Sequence, residues 1–207
     1  MLSEDRSSCR IVYHERDVAS WITTPPSVEE ARPGRCPACG LAARPVGGRL
    51  GLHGHGLRDR QQRGPAAPGE RAAIAVVALR RYLCVGCAAV TTVVPRDVEP
   101  RRHYSRPAIA LALALWSMAS LPPAEVRQRI SPWRVRGATG AGGWFTLRRW
   151  ACAARAGRLF RALGHVVGGS LRQVAASVAT RALGHAPPSL RGEPREVQVF
   201  QGAVRLV

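Results

Sequence analysis

The apolar positions of the chain show two textures that change near residue 100. On the N-terminal side, residues 9–13 form a short strand-like piece, Trp21 and Ile22 follow, and residues 23–27 carry two prolines. Residues 1–35 therefore predict an irregular lead-in that packs on whatever comes after it. Residues 36–100 are rich in Gly and Pro. Their β-type apolar run begins at residues 74–79, continues through Tyr82 and Leu83, and resumes at residues 90–94 after an interruption from Cys84 to Cys87. This pattern predicts a hairpin folded around a cysteine turn. The stretch RDRQQRGPAAPGE, residues 58–70, has the composition of a flexible loop between strands.

Beyond Pro100 the chain turns to Ala, Leu and Arg with helix punctuation. Ser105 suits an N-cap with Pro107 in the first turn, which predicts a helix through Trp116 to about Ala119, ending before Pro122 and Pro123. The Leu/Ala alternation over residues 109–115 also fits a strand, but the Ala content and the caps favour a buried helix. Further helices are expected at residues 123–130, 144–163 and 171–183, with a short piece at 132–137 opened by Ser131. The pentapeptide Arg-Ala-Leu-Gly-His occurs at residues 161–165 and again at 181–185. Gly164 and Gly184 both suit the left-handed residue that ends a helix; coincidence in an Ala- and Arg-rich segment explains the repeat better than a 20-residue unit. Residues 198–207 read as a strand-like tail.

A length of 207 residues allows one compact domain or two small ones and excludes a large multidomain enzyme. All 31 basic residues are Arg, because Lys is absent, as is Asn. Such usage reflects codon bias in part, but bias does not explain 31 basic residues against 13 acidic ones, a net charge of +18. The excess is localised. Residues 1–35 sum to −1, 36–100 to +5, 101–125 to +2 and 193–207 to 0, whereas 126–192 carry 12 Arg and no acid. An acid-free basic segment is how a nucleic-acid-binding face appears in sequence; the alternative is a generally basic protein. The N-terminus is polar and shows no secretory signal. The longest apolar run, residues 108–119, is 12 residues, well short of the ~20 that span a bilayer. The expectation is a soluble, cytoplasmic, nucleoid-associated protein without a membrane partner.

In a reducing compartment six Cys are poor disulfide candidates, and their spacing gives them another use. Cys36-Pro-Ala-Cys39-Gly40 and Cys84-Val-Gly-Cys87 are two CxxC pairs separated by 44 residues. Each pair places two sulfurs on one tight turn, and four thiolates close a tetrahedral Zn²⁺ sphere, so one structural zinc ion is expected on Cys36, Cys39, Cys84 and Cys87. Gly40 and Gly86 fit knuckles that need a positive φ. A redox dithiol or unliganded thiols are the alternatives, but the βαβ context of a redox CxxC is missing. His53 and His55 are read as loop or surface residues, with phosphate contact or metal ligation as alternatives. Cys9 and Cys152 lack CxxC partners; Cys152, among Arg148, Arg149 and Arg155, is read as an Ala-like filler rather than a nucleophile.

On a helical projection Leu147, Trp150, Ala151 and Ala154 share one face, Arg149 points almost the opposite way, and Arg148 and Arg155 lie together on the flank. One buried stripe with several outward Arg, preceded by shorter helices and a Gly-rich turn at residues 137–143, is what a helix-turn-helix reader requires. The competing reading is a solvated face of an ordinary bundle, which usually mixes charge signs. The expected DNA contacts are Thr146, Arg148, Arg149 and Arg155, with Arg134 and Arg136 on the short piece before them.

The order CPACG, a His/Gly-rich strand, RRYLCVGC with an apolar strand ending at Pro95, RRHYSRPAIALAL, and a short-helix region closing on TLRRW resembles the zinc-ribbon plus helix-turn-helix proteins, and N-terminal regions, associated with bacterial insertion-sequence transposases. The resemblance covers about residues 9–163. It implies that the CxxC pairs hold zinc and that Thr146 to Trp150 belong to the DNA-reading helix. The second knuckle departs from the pattern, with Ala88 where Gly often follows.

Strand transfer uses an acidic cluster to hold two metal ions, yet Glu125 is the only acid between Glu99 and Glu193. No phosphate loop with Lys, GxSxG turn or HExxH is present either. The expected fold is therefore α+β: a small β zinc ribbon (36–100) followed by an all-α helix-turn-helix region (101–192) and a tail (193–207). The expected function is a non-catalytic, zinc-dependent DNA-binding protein of mobile-element type. Its partners are double-stranded DNA and, as the resemblance allows, a separate transposase, with no small-molecule substrate. The alternatives are a zinc-ribbon protein–protein or RNA interaction module, or the remnant of a transposase lacking its catalytic domain.

Overall fold

The computed structural model describes residues 10–133 and 143–206. They form an α+β protein with a mixed four-stranded sheet and, among the described residues, six α-helices. The chain divides into two compact units, Met1–Arg60 with Val76–Arg96, and Gln61–Ala75 with Asp97–Val207. This division differs from a boundary at residue 100, because the distal end of the hairpin belongs with the helices.

The sheet, most of which belongs to the first unit, has β1 (Arg10–His14), β2 (Leu52–Gly64), β3 (Ala73–Cys84) and β4 (Val90–Pro95) in the order β1-β4-β3-β2. β3 and β4 are antiparallel, with Arg80 opposite Val93 and Leu83 opposite Val90, as the interrupted apolar run predicts. β1 adds to β4 in parallel, with Arg10 opposite Thr91. β4 is thus an inner strand, and residues 91–95 are all buried, which accounts for its β-branched composition without charged residues. Residues 58–64 are not loop but the continuation of β2, and only residues 65–72 connect it to β3. Most of β2 is exposed. Main-chain pairing holds it, so its side chains carry no alternation for a sequence reading to detect.

The lead-in is more regular than expected. It contains β1 and the helix α1 (Val18–Thr23), whose N-cap Asp17 accepts from the Ser20 amide at 2.8 Å. α1 buries Trp21, whose indole N–H donates to the Ala78 carbonyl of β3 at 3.0 Å. Tyr82 is also fully buried, and its hydroxyl donates to the Val28 carbonyl at 2.7 Å. Burial of each such ring is worth roughly 3 kcal/mol, and their polar atoms are satisfied. Two part-buried hydrogen bonds thus link the lead-in to β3.

The second unit is built around α2 (Arg106–Ser117), capped by Ser105 as predicted. Residues 106–116 of α2 are all buried, so this helix is apolar on every side and others surround it. Its neighbours are α3 (Pro123–Ile130), α4 (Phe145–Arg155), α5 (Leu171–Gly184) and α6 (Arg195–Arg205). Ser170 and Gln173 form a reciprocal capping box on α5.

Three sequence expectations change here. α4 stops at Arg155 rather than near Leu163, because Gly157 adopts φ +63° while its amide donates to the Ala154 carbonyl and that of Arg158 to Ala153. These two bonds make a Schellman termination. A 3₁₀ turn, Arg161–Leu163, follows and ends at Gly164 with φ +68°. Gly184, in contrast, stays inside the last turn of α5, and His185 is the cap. The third change is at the C-terminus, where the strand-like tail is instead α6. It buries Val199, Phe200, Ala203 and Val204, a spacing that makes one helical face. Residues 134–137 of the expected short piece lie outside the described residues. No helix among the described residues is long and apolar enough to cross a membrane.

Candidate functional site

The two CxxC turns fold alike. In the first, Gly40 N–H donates to the Cys36 carbonyl at 2.8 Å and Cys36 N–H to that of Leu41 at 2.8 Å. In the second, Ala88 N–H donates to the Cys84 carbonyl at 2.9 Å and Cys84 N–H to that of Ala89 at 3.1 Å. The residue after the second cysteine is left-handed in both, Gly40 at φ +77° and Ala88 at φ +56°. The left-handed residue of the second knuckle is therefore Ala88, not Gly86. Gly86 sits in a tight space, where a Cβ would lie 3.1 Å from Leu41 Cδ2, so that this side chain would have to give by a few tenths of an ångström.

The turns bring Cys36, Cys39, Cys84 and Cys87 together, with all four Sγ atoms within 4.8 Å of one another. Cys36 Sγ lies 3.8 Å from Cys87 Sγ, and Cys39 Sγ 3.6 Å from Cys84 Sγ. Four sulfurs at ~2.3 Å from a tetrahedral ion stand about 3.8 Å apart, so the cluster has the dimensions of a metal site. Cys36 and Cys84 are buried, Cys87 is half-buried and Cys39 is exposed. Burial pushes the Cys36 thiol up, but the amides of Cys39 and Ala38 outweigh it and bring the group down to about 7. The Leu41 amide favours the Cys39 thiolate, yet the neighbouring sulfur of Cys87, burial, and the sulfurs of Cys84 and Cys36 push it up to about 12. Close sulfurs thus oppose a thiolate at Cys39, and a cation between them would relieve that opposition. His53 and His55 are exposed on β2 and take no part in the cluster.

In the second unit, α4 buries Leu147, Trp150, Ala151, Ala153 and Ala154. Trp150 packs edge-on against Tyr104 at 5.1 Å and Trp144 at 5.2 Å, which fixes the roll of the helix. The opposite side carries Arg148, Arg149 and Arg155, all exposed, together with Phe145; Thr146 and Cys152 are half-buried. Arg148 and Arg155 stand seven residues apart, so they align on one flank about 10 Å apart along the axis. The side chains of Arg148, Arg149, Arg155 and Arg158 have no hydrogen-bond or ion-pair partner among the described residues. Other Arg of this unit have structural roles: Arg106 pairs with Glu99 at 3.0 Å, Arg129 with Glu125 at 2.7 Å, and Arg172 covers the Trp116 ring. Arg134 and Arg136 lie outside the described residues, as does Cys9. So does the turn that would complete a helix-turn-helix between α3 and α4.

A feature the sequence reading passed over is Arg161, which follows Gly157 in the irregular segment after α4. The glycines at 157 and 164, bracketing Arg158 and Arg161, were the available signal. No family model, no curated protein and no solved structure matches the chain.

Proposed function

We propose that the chain is a zinc-dependent, non-catalytic DNA-binding protein of the kind that accompanies bacterial insertion-sequence transposases. The observation that carries this reading is α4, which exposes Arg148, Arg149 and Arg155 with no side-chain partner among the described residues in a segment, residues 126–192, that holds no acid. A solvated face is ordinarily mixed in sign; an unpaired guanidinium strip is suited to phosphates and guanine edges. Exposed Phe145 adds an apolar surface at the start of the same helix. Zn²⁺ is the proposed ion because four thiolates favour a soft, tetrahedral, redox-inert metal. Closed coordination leaves it a structural role, holding the two knuckles and the strands between them. Arg134, Arg136 and Thr146 complete the proposed contact set, and a separate transposase is the proposed protein partner.

Anisotropy titrations of a labelled duplex at several salt concentrations test the reading. The expected result is affinity that falls steeply with salt, with a slope reduced by up to about 3 when Arg148, Arg149 and Arg155 are all changed to Ala. Salt-insensitive binding, or a triple variant that binds like the parent, overturns it. A preference for an RNA hairpin over the duplex would move the assignment to an RNA-binding module.

A further inference from the structure

The segment that follows α4 encloses an open cleft of about 390 Å³ lined by Arg155, Ala156, Gly157, Arg161, Gly164 and His165. The geometry points to this cleft as a binding site for a phosphate group. Two Arg and a His are among the residues that line it, and none of the described lining residues is acidic.

The surrounding chain is built to keep the cleft in place. Arg181 Nη1, from α5, donates to the carbonyls of Leu163 at 2.7 Å and His165 at 2.8 Å, pinning the wall that carries His165. Leu163 and Val166 are buried on either side of it. The floor begins at the end of α4, where free carbonyls would repel an anion. Those of Cys152, Ala153 and Ala154 are instead occupied by the amides of Ala156, Arg158 and Gly157. Arg161 lies within electrostatic reach of Glu99, but that carboxylate is buried and already paired with Arg106 at 3.0 Å. The positive field of the cleft is therefore left for a ligand. Guanidinium pairs recognise phosphate by bidentate hydrogen bonds.

Such a phosphate has two sources, the backbone of a duplex lying on α4, since Arg155 belongs to both surfaces, or a free phosphorylated compound. The first source rests on the DNA-binding reading, whereas the site itself does not.

The test uses the full-length, metal-loaded chain and backbone NMR. Titration with inorganic phosphate and with dAMP is expected to give saturable shifts confined to residues 155–165, with Kd below about 1 mM. Arg161→Ala is expected to weaken binding about ten-fold or more, while Arg191→Ala, an exposed Arg elsewhere in the same unit, leaves it unchanged. Equal effects of the two substitutions, or shifts spread over every exposed Arg, overturn the site. A duplex is then added to the phosphate-loaded protein. Displacement of phosphate, with a salt slope lowered by about 1 in Arg161→Ala, assigns the site to the DNA backbone. Phosphate that stays bound beside the duplex assigns it to a free phosphorylated compound. A chain that binds phosphate but no duplex keeps the site and loses the DNA-binding function; one that binds duplex but no phosphate does the reverse.

Discussion

Cys39 Sγ and Cys84 Sγ lie 3.6 Å apart although 45 positions separate them in the chain. Two knuckles that meet in this way close a long loop, and the sulfurs sit at tetrahedral spacing. Bound metal then contributes folding free energy directly, on the order of 10 kcal/mol for structural thiolate sites. Metal analysis of reduced protein is expected to find one zinc per chain. Chelation, or Cys84→Ser, is expected to abolish hydrogen-exchange protection over residues 36–51 and 84–94. A metal-free preparation with unchanged protection would show that the cluster holds nothing of structural consequence.

The two knuckles differ in the residue at their left-handed position. Gly40 takes φ +77° without cost, whereas Ala88 at φ +56° carries a side chain in a region that costs about 1–2 kcal/mol for L-residues. Ala88→Gly is expected to stabilise the protein by about 1 kcal/mol and raise its thermal midpoint by a few degrees. Gly40→Ala is expected to destabilise it by a similar amount and speed metal release to a chelator. Two substitutions that shift the midpoint in the same direction would refute the conformational argument.

The knuckles were legible in the sequence because a CxxC spacing is a local constraint that reports its own turn. The caps of α2 were legible for the same reason, Ser105 and Pro107 standing beside the apolar run they open. β2 was not, since a strand exposed along most of its length has nothing to alternate. α6 was misread because Val197 and Val199 alternate with polar neighbours, and only packing on α5 reveals the face made by Val199, Phe200 and Ala203. The phosphate cleft was hidden for another reason. The 3₁₀ turn that carries Arg161 opens on Phe160 in the left-handed region at φ +56°, a conformation no side-chain preference announces.

The packing of α6 depends on a close approach at Gly202. A Cβ there would stand 1.8 Å from the Ala182 carbonyl oxygen, a backbone atom that cannot turn aside. Gly202→Ala must separate α5 from α6, and a cost of about 3 kcal/mol is expected from such overpacking. Gly192→Ala, where a Cβ meets nothing within 4 Å, is the matching control. Equal denaturation midpoints for the two variants would show that the C-terminal helix does not depend on this contact.

Acid should act on the first unit through Glu29. Its carboxylate bonds to Arg32 at 2.6 Å and to Arg44, just beyond the first knuckle. The side-chain hydrogen bonds from Arg32 and then Arg44 hold it well below the ordinary carboxylate value of 4.5, at about 2. Because the folded value is depressed, the stability it contributes is fully present above about pH 4.5 and is lost as the pH falls toward 2. Glu29 is exposed, so the contribution is modest and screened by salt. Protonation of the four clustered cysteines would release a bound metal and also destabilise the unit in acid, so the informative quantity is the difference between the parent and Glu29→Gln at the same metal content. That difference is expected to be largest above pH 4.5 and to shrink between pH 4.5 and 2 in urea titrations. A constant difference over this range would show that the carboxylate charge is not what ties residues 29–32 to Arg44.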